Sequence, residues 1–178
     1  WQECDYMETI TLCTKLCEDE IVHGGEDLLA RTIREVKNLP ITTLFVLSAC
    51  GPEIVGDDIV AVCDDLQPEV RFRLVPIECA GFRGSQYDGI DIALDVLVKR
   101  LVKRDGKKVP RSVCLLAPHA NANPTWMADL DWVREILSRM GVRVIATLTH
   151  RTPLDEIERL SSAETSLLLS HDAGQKAA

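Results

Sequence analysis

The chain has 178 residues, 46% hydrophobic and 27% charged with few aromatics, which suits a globular domain with a real core. Its formal net charge of −8 argues against a phosphate-backbone partner, and no Lys/Arg stripe overturns that. No apolar run approaches the roughly 20 residues needed to cross a bilayer.

The first residues do not read as a signal peptide, and the chain starts at Trp1 without an initiator methionine, as a piece of a longer protein would. Residues 1–25 read as the irregular end of an upstream segment. A helix is expected over Glu26–Leu39, after the Gly24-Gly25 pair. From there strand and helix alternate. Thr42–Leu47 is an apolar, β-rich run, followed by a loop over Ser48–Asp57 with a glycine–proline turn. Asp57–Leu66 is a helix with Ile59, Val62, Cys63 and Leu66 on one face. Arg71–Ile77 is a second strand, and Asp88–Lys103 a longer helix carrying Ile90, Ala93, Leu94, Leu97 and Leu101 at helical spacing. Lys99–Arg104 with Lys107 and Lys108 is the solvated basic end of that helix, where cations suit the dipole.

Ser112–Ala117 is a third strand. Trp126–Met140 is a helix with Leu130, Val133, Leu137 and Met140, ended by Gly141. Val142–Leu148 is a fourth strand. Thr152 caps a short helix with Pro153 at its first position, and Ser166–Leu169 is a fifth strand. Continuously apolar strands separated by helices predict an α/β fold: a doubly wound, mostly parallel Rossmann-like sheet with helices on both faces, spanning residues 26–172. Residues 173–178 read as a frayed tail.

Such sheets place chemistry at the carboxyl ends of their strands. Three loops qualify. Ser48–Asp57 holds Cys50, Gly51, Pro52 and Glu53, Glu78–Asp88 holds Cys79, Arg83, Ser85 and Gln86, and Pro118–Thr125 holds His119. All three are expected on one sheet edge, so Cys50, Cys79 and His119 can converge.

Seven cysteines, at positions 4, 13, 17, 50, 63, 79 and 114, form no Cys-x-x-Cys pair, and most suit small buried positions. Cys50 fits two descriptions: a packing residue, or a thiolate at a strand end where backbone N–H groups favour metal ligation. Composition and spacing alone favour packing, for Cys50 as for Cys79. Cys13 and Cys17 would share a helical face, but two sulfurs alone make no site. His119 suits an ordinary hydrogen-bonded loop position. Gly81–Ser85 with Arg83 offers either an anion cradle or a tight turn. Asp57 and Asp58 suit capping of the helix they open. No dinucleotide fingerprint, phosphate-binding loop or Ser–His–Asp arrangement is present.

Three ordered motifs carry more. Glu18-x-x-Ile21-Val22-x-Gly24-Gly25, then Cys50-x₅-Gly56-Asp57-Asp58, then Gly81-Phe82-x-Gly84-Ser85-x₃-Gly89-x-Asp91 resemble the nitrogenase component 1 family. That family includes the α and β subunits of molybdenum–iron protein, paired scaffold proteins that assemble its cofactor, and dark-operative protochlorophyllide reductase subunits. The resemblance implies a cytoplasmic oxidoreductase subunit, working with a homologous subunit as a heterodimer or tetramer. It would take electrons from an ATP-dependent iron protein through an interface iron–sulfur cluster, 4Fe–4S or larger. By the same resemblance Cys50 falls on a cluster ligand, and Gln86 and Gly89, with Arg83, fall near a larger cofactor. The remaining ligands would lie outside this sequence, and the fragment alone would be inactive. Ile90 stands where the family's catalytic α subunits have a histidine, and His23 where an apolar aromatic is usual. The alternative implied function is a scaffold for cofactor assembly with no turnover of its own.

Overall fold

A computed structural model describes residues 11–104, 107–117, 124–149, 152–171 and 173–178. It divides into two compact units, 1–83 and 84–178. Parallel strands flanked by helices make each unit α/β, as expected. The described strands form two sheets, one in each unit.

In the first unit α1 (Glu18–His23) and α2 (Glu26–Glu35) precede β1 (Thr43–Leu47). Residues 18–23, expected to be irregular, are helical. Three acidic residues fill the first turn, the Glu20 carboxylate accepts from Cys17 N–H at 2.9 Å, and Gly24 at φ +95° ends the helix. α3 (Cys50–Val55) occupies most of the expected loop 48–57. Pro52 does not prevent it, because a first-turn N–H would have no helical partner anyway. Gly56, left-handed at φ +98°, ends α3 with its N–H on the Pro52 carbonyl.

α4 (Ile59–Leu66) buries the face read from the sequence, with Ile59, Cys63 and Leu66 inside and Val62 packed beside them. These residues meet Ile33, Val46, Phe72 and Leu74 in one core cluster. β2 (Arg73–Ile77) pairs in parallel with β1, Thr43 opposite Arg73 and Leu47 opposite Ile77. The Gln67 side chain donates to the Phe72 carbonyl and accepts from Leu74 N–H, both at 2.9 Å, and so occupies backbone groups of β2 as a neighbouring strand would.

The second unit has sheet order β4-β3-β5, all parallel: β3 (Val109–Leu116), β4 (Arg143–Leu148) and β5 (Ala163–Leu168). α5 (Gln86–Leu101) starts two residues earlier than expected, with Ser85 as its cap, and buries Leu94 and Leu101. β3 also starts early. Arg111, at φ +54°, sits at a register shift, its N–H donating to Glu164 at 2.7 Å.

α6 (Trp126–Arg139) buries Leu130, while Met140, just past its end, is exposed. Trp132, Ile136 and Met140 make a second, outward stripe at spacing i, i+4, i+8. Beyond the helix Gly141 at φ +70° closes it: Val142 N–H reaches the Leu137 carbonyl and Gly141 N–H that of Ser138. α7 (Leu154–Glu158) has Pro153, not Thr152, at its cap, and Thr152 Oγ1 instead accepts from Thr149 N–H. In the segment 173–178, expected to fray, Ala173 is buried and Gly174 N–H donates to Asp91 at 2.8 Å. Among the described residues no helix is long and apolar enough to cross a membrane.

Candidate functional site

Parallel pairing of β1 and β2 brings both chain exits to one sheet edge, and Ser48 N–H extends the ladder by donating to the Ile77 carbonyl at 3.1 Å. The loops bearing Cys50 and Cys79 are therefore adjacent. Cys50 is the first residue of α3 and is exposed, so it does not pack in the core. Its Sγ accepts from Gly81 N–H at 3.3 Å.

Around this sulfur the two loops are joined through polar groups. Ser48 Oγ accepts from Cys79 N–H at 2.9 Å and donates to the Glu53 carboxylate. Glu53 also accepts from Ala80 N–H at 3.1 Å and from Arg83 Nε at 2.5 Å. Burial pushes the Glu53 carboxyl up, but hydrogen bonds from Ser48, Arg83 and Ala80 more than offset this and hold it below the ordinary carboxylate range. The half-buried Cys79 thiol is pushed up, by burial first and then by the Glu53 charge, with Arg83 opposing.

Several sequence expectations change here. Arg83 is engaged by Glu53 and, at 3.5 Å, by Glu78. The stretch 81–85 is not an open anion cradle. Gly81 N–H is on Cys50, Arg83 N–H on the Ala80 carbonyl, and Ser85 N–H on Asp88. Asp58 caps α4, accepting from Ala61 N–H at 2.8 Å, but Asp57 does not: both its oxygens accept from Gly25 N–H. Of the described cysteines only Cys63 and Cys114 are buried; Cys13, Cys17 and Cys50 are exposed. In the second unit Gln86 opens α5 and is exposed, and the space beside Gly89 is open. His119 and Cys4 lie outside the described residues.

The sequence places Glu53 in the Cys50 loop without a role, and it does not single out Ser48. The available signal was a carboxylate three residues after Cys50 in a stretch read as loop. Among the described residues no three His, Cys, Asp or Glu side chains gather as a metal site. The donor set is one exposed sulfur, which fits a single ligand to a cluster whose other ligands come from elsewhere.

A family model for nitrogenase component 1 type oxidoreductase matches residues 6–178. The chain belongs to that family. Among curated relatives, it is 28% identical over 169 residues to the nitrogenase molybdenum–iron protein alpha chain of Methanosarcina barkeri, covering 94% of this chain and 31% of that protein. It is 30% identical over 165 residues to the nitrogenase iron–molybdenum cofactor biosynthesis protein NifE of the same organism, covering 87% and 35%. A solved structure titled nitrogenase Cp1 at pH 6.5 superposes with a TM-score of 0.71 at 24% identity, over 90% of this chain and 31% of that one, and supports the fold. This component 1 chain thus spans about a third of the length of these relatives. The resemblance read from the three motifs is borne out at the level of family and fold.

Proposed function

We propose that this component 1 chain is part of a cytoplasmic oxidoreductase subunit. The subunit takes electrons from an ATP-dependent iron protein and passes them to a bound cofactor or substrate. The observation that carries this reading is Cys50: an exposed sulfur at a strand end, held by Gly81 N–H, where the family resemblance puts a cluster ligand. When bound, an iron–sulfur cluster would supply one-electron storage between the two proteins. This chain would contribute the Cys50 sulfur, the Gly81 N–H that donates to it, and the Glu53–Ser48 joint between α3 and the loop after β2.

Exposed apolar side chains on the same two segments, Ile54 on α3 and Phe82 next to Gly81, support burial of this edge against a homologous partner subunit. Gln86 and Gly89 are proposed to approach a larger cofactor in the complete protein. Arg83 has a weaker case for that role, because carboxylates already engage its guanidinium.

The test is Cys50→Ala in the complete protein, purified without oxygen together with its partner. Iron content and the visible absorbance of the cluster should fall; unchanged values would remove Cys50 as a ligand.

A second reading is a scaffold subunit on which a metal cofactor is assembled. It is supported by relatives of both kinds at similar identity and by Ile90 at the family's histidine position. Supplying the complete complex with iron protein and ATP separates the two. Substrate reduction favours the enzyme; transfer of bound cofactor to a cofactor-free acceptor, without reduction, favours the scaffold.

A further inference from the structure

The Glu53 side chain is only 4% exposed, yet it is a carboxylate with three donors aimed at it. Those donors come from three places: Ser48 at the end of β1, Ala80 in the loop after β2, and Arg83 at the end of the following 3₁₀ turn. A carboxylate is an acceptor only, and a buried one is tolerated when its lone pairs are filled this way. Glu53 stands one helical turn after Cys50 on α3, and Ala80 immediately precedes Gly81. The group that ties α3 to the β2 loop therefore sits one residue from the N–H that meets the sulfur.

We infer that Glu53 is a positioning residue for Cys50: its carboxylate fixes the register between α3 and the loop after β2 in which Gly81 N–H donates to Cys50 Sγ. Without it Ser48, Ala80 N–H and Arg83 lose their common acceptor, and the 81–83 turn is free to move away from the sulfur. Only the final consequence, retention of the cluster, rests on the reading of Cys50 as a ligand.

Two measurements test this. In the complete protein, hydrogen exchange at the Gly81 amide should quicken roughly tenfold in Glu53→Ala, while the Val75 amide in β2 keeps its wild-type rate. Glu53→Gln, which keeps the shape and one acceptor oxygen, should restore most of the protection. If the alanine variant does not fold, Glu53→Asp, one methylene shorter, should show the same Gly81-specific loss. Unchanged exchange at Gly81, or equal acceleration at Val75, overturns the proposal. In the complete protein purified without oxygen, Glu53→Ala should lose cluster iron and Glu53→Gln should keep more of it. If Cys50→Ala loses iron and Glu53→Ala does not, positioning by Glu53 is wrong and the ligand reading stands. If Cys50→Ala keeps its iron, the ligand reading fails, while the exchange result still judges the role of Glu53 at the sulfur.

Discussion

Asp57 accepts the backbone N–H of Gly25 on both carboxylate oxygens, each at 2.9 Å. In return the Glu26 carboxylate accepts Asp58 N–H at 2.8 Å. Two sequence motifs that stand 32 residues apart, Gly24-Gly25 and Gly56-Asp57-Asp58, are thus the two halves of one joint. The glycines suit the close approach: a Cβ on Gly24 would lie 3.0 Å from Asp57, and one on Gly25 would lie 2.6 Å from Leu16.

Removing Asp57 should therefore cost more than removing its neighbour. Asp57→Ala strands a part-buried N–H and is expected to destabilise the chain by about 1–3 kcal/mol. Asp58→Ala removes a helix cap and should cost about 1 kcal/mol. Urea unfolding of both variants measures the difference. Equal losses would mean that the joint to Gly25 contributes no more than an ordinary cap.

Thiol labelling should sort the cysteines by surroundings. With iodoacetamide at neutral pH, the exposed Cys13, Cys17 and Cys50 are expected to react first. Cys79, half-buried with its thiol pushed up, should lag by about tenfold. Cys63 and Cys114 should label only when urea opens the core. Peptide mass spectrometry reads each site, and fast labelling of Cys114 in the native chain would contradict the packing around β3.

Acid should weaken the first unit through Glu53. Its carboxyl is held below the ordinary value of 4.5 by its three donors, despite burial. A carboxyl with a lower pKa folded than unfolded adds stability that is complete above the unfolded value and is lost as pH falls through the folded one. Wild-type urea midpoints should thus decline below pH 4.5, and Glu53→Gln should be less stable at neutral pH with a flatter acid limb. Parallel curves for the two proteins would assign the acid sensitivity to other carboxylates.

Gly84→Ala should loosen the start of α5. Gly84 lies at φ +155°, and a Cβ there would come within 2.5 Å of the Asp88 carboxylate. That carboxylate accepts from Ser85 N–H at 2.7 Å and forms the capping box of the helix. Displacing it should cost about 2 kcal/mol, from the lost cap and the backbone conformation together. A thermal melt of the variant checks this, and an unchanged midpoint would show that Asp88 moves aside freely.

The elements legible in the sequence were those whose signal is local. The period of α4 picked out Ile59, Cys63 and Leu66, and all three are buried; the glycine after α6 is left-handed where a closing residue was expected. The α1 and α3 segments were misread because their start signals are weak. Each is six residues long, neither has a Ser, Thr, Asp or Asn at its cap, and α3 carries Gly51-Pro52 in its first turn. α6 carries a second apolar stripe, Trp132, Ile136 and Met140, and periodicity alone does not say which stripe packs.

By itself the sequence determined the α/β class, the strand ends that carry Cys50 and Cys79, and the family, through the order and spacing of three motifs. These follow from short-range periodicity and from residue types that a local backbone demands. Only the tertiary structure decided that Cys50 is exposed, that Gly81 N–H donates to it, and that Glu53 and Ser48 tie its helix to the loop after β2. Cys50 and Glu53 stand 31 and 27 residues from the Gly81 and Ala80 amides they meet, and parallel pairing of β1 with β2 is what makes them neighbours. A spacing of that length carries no local signal, because the closure of the intervening helix and strand, not the chain between, sets the distance.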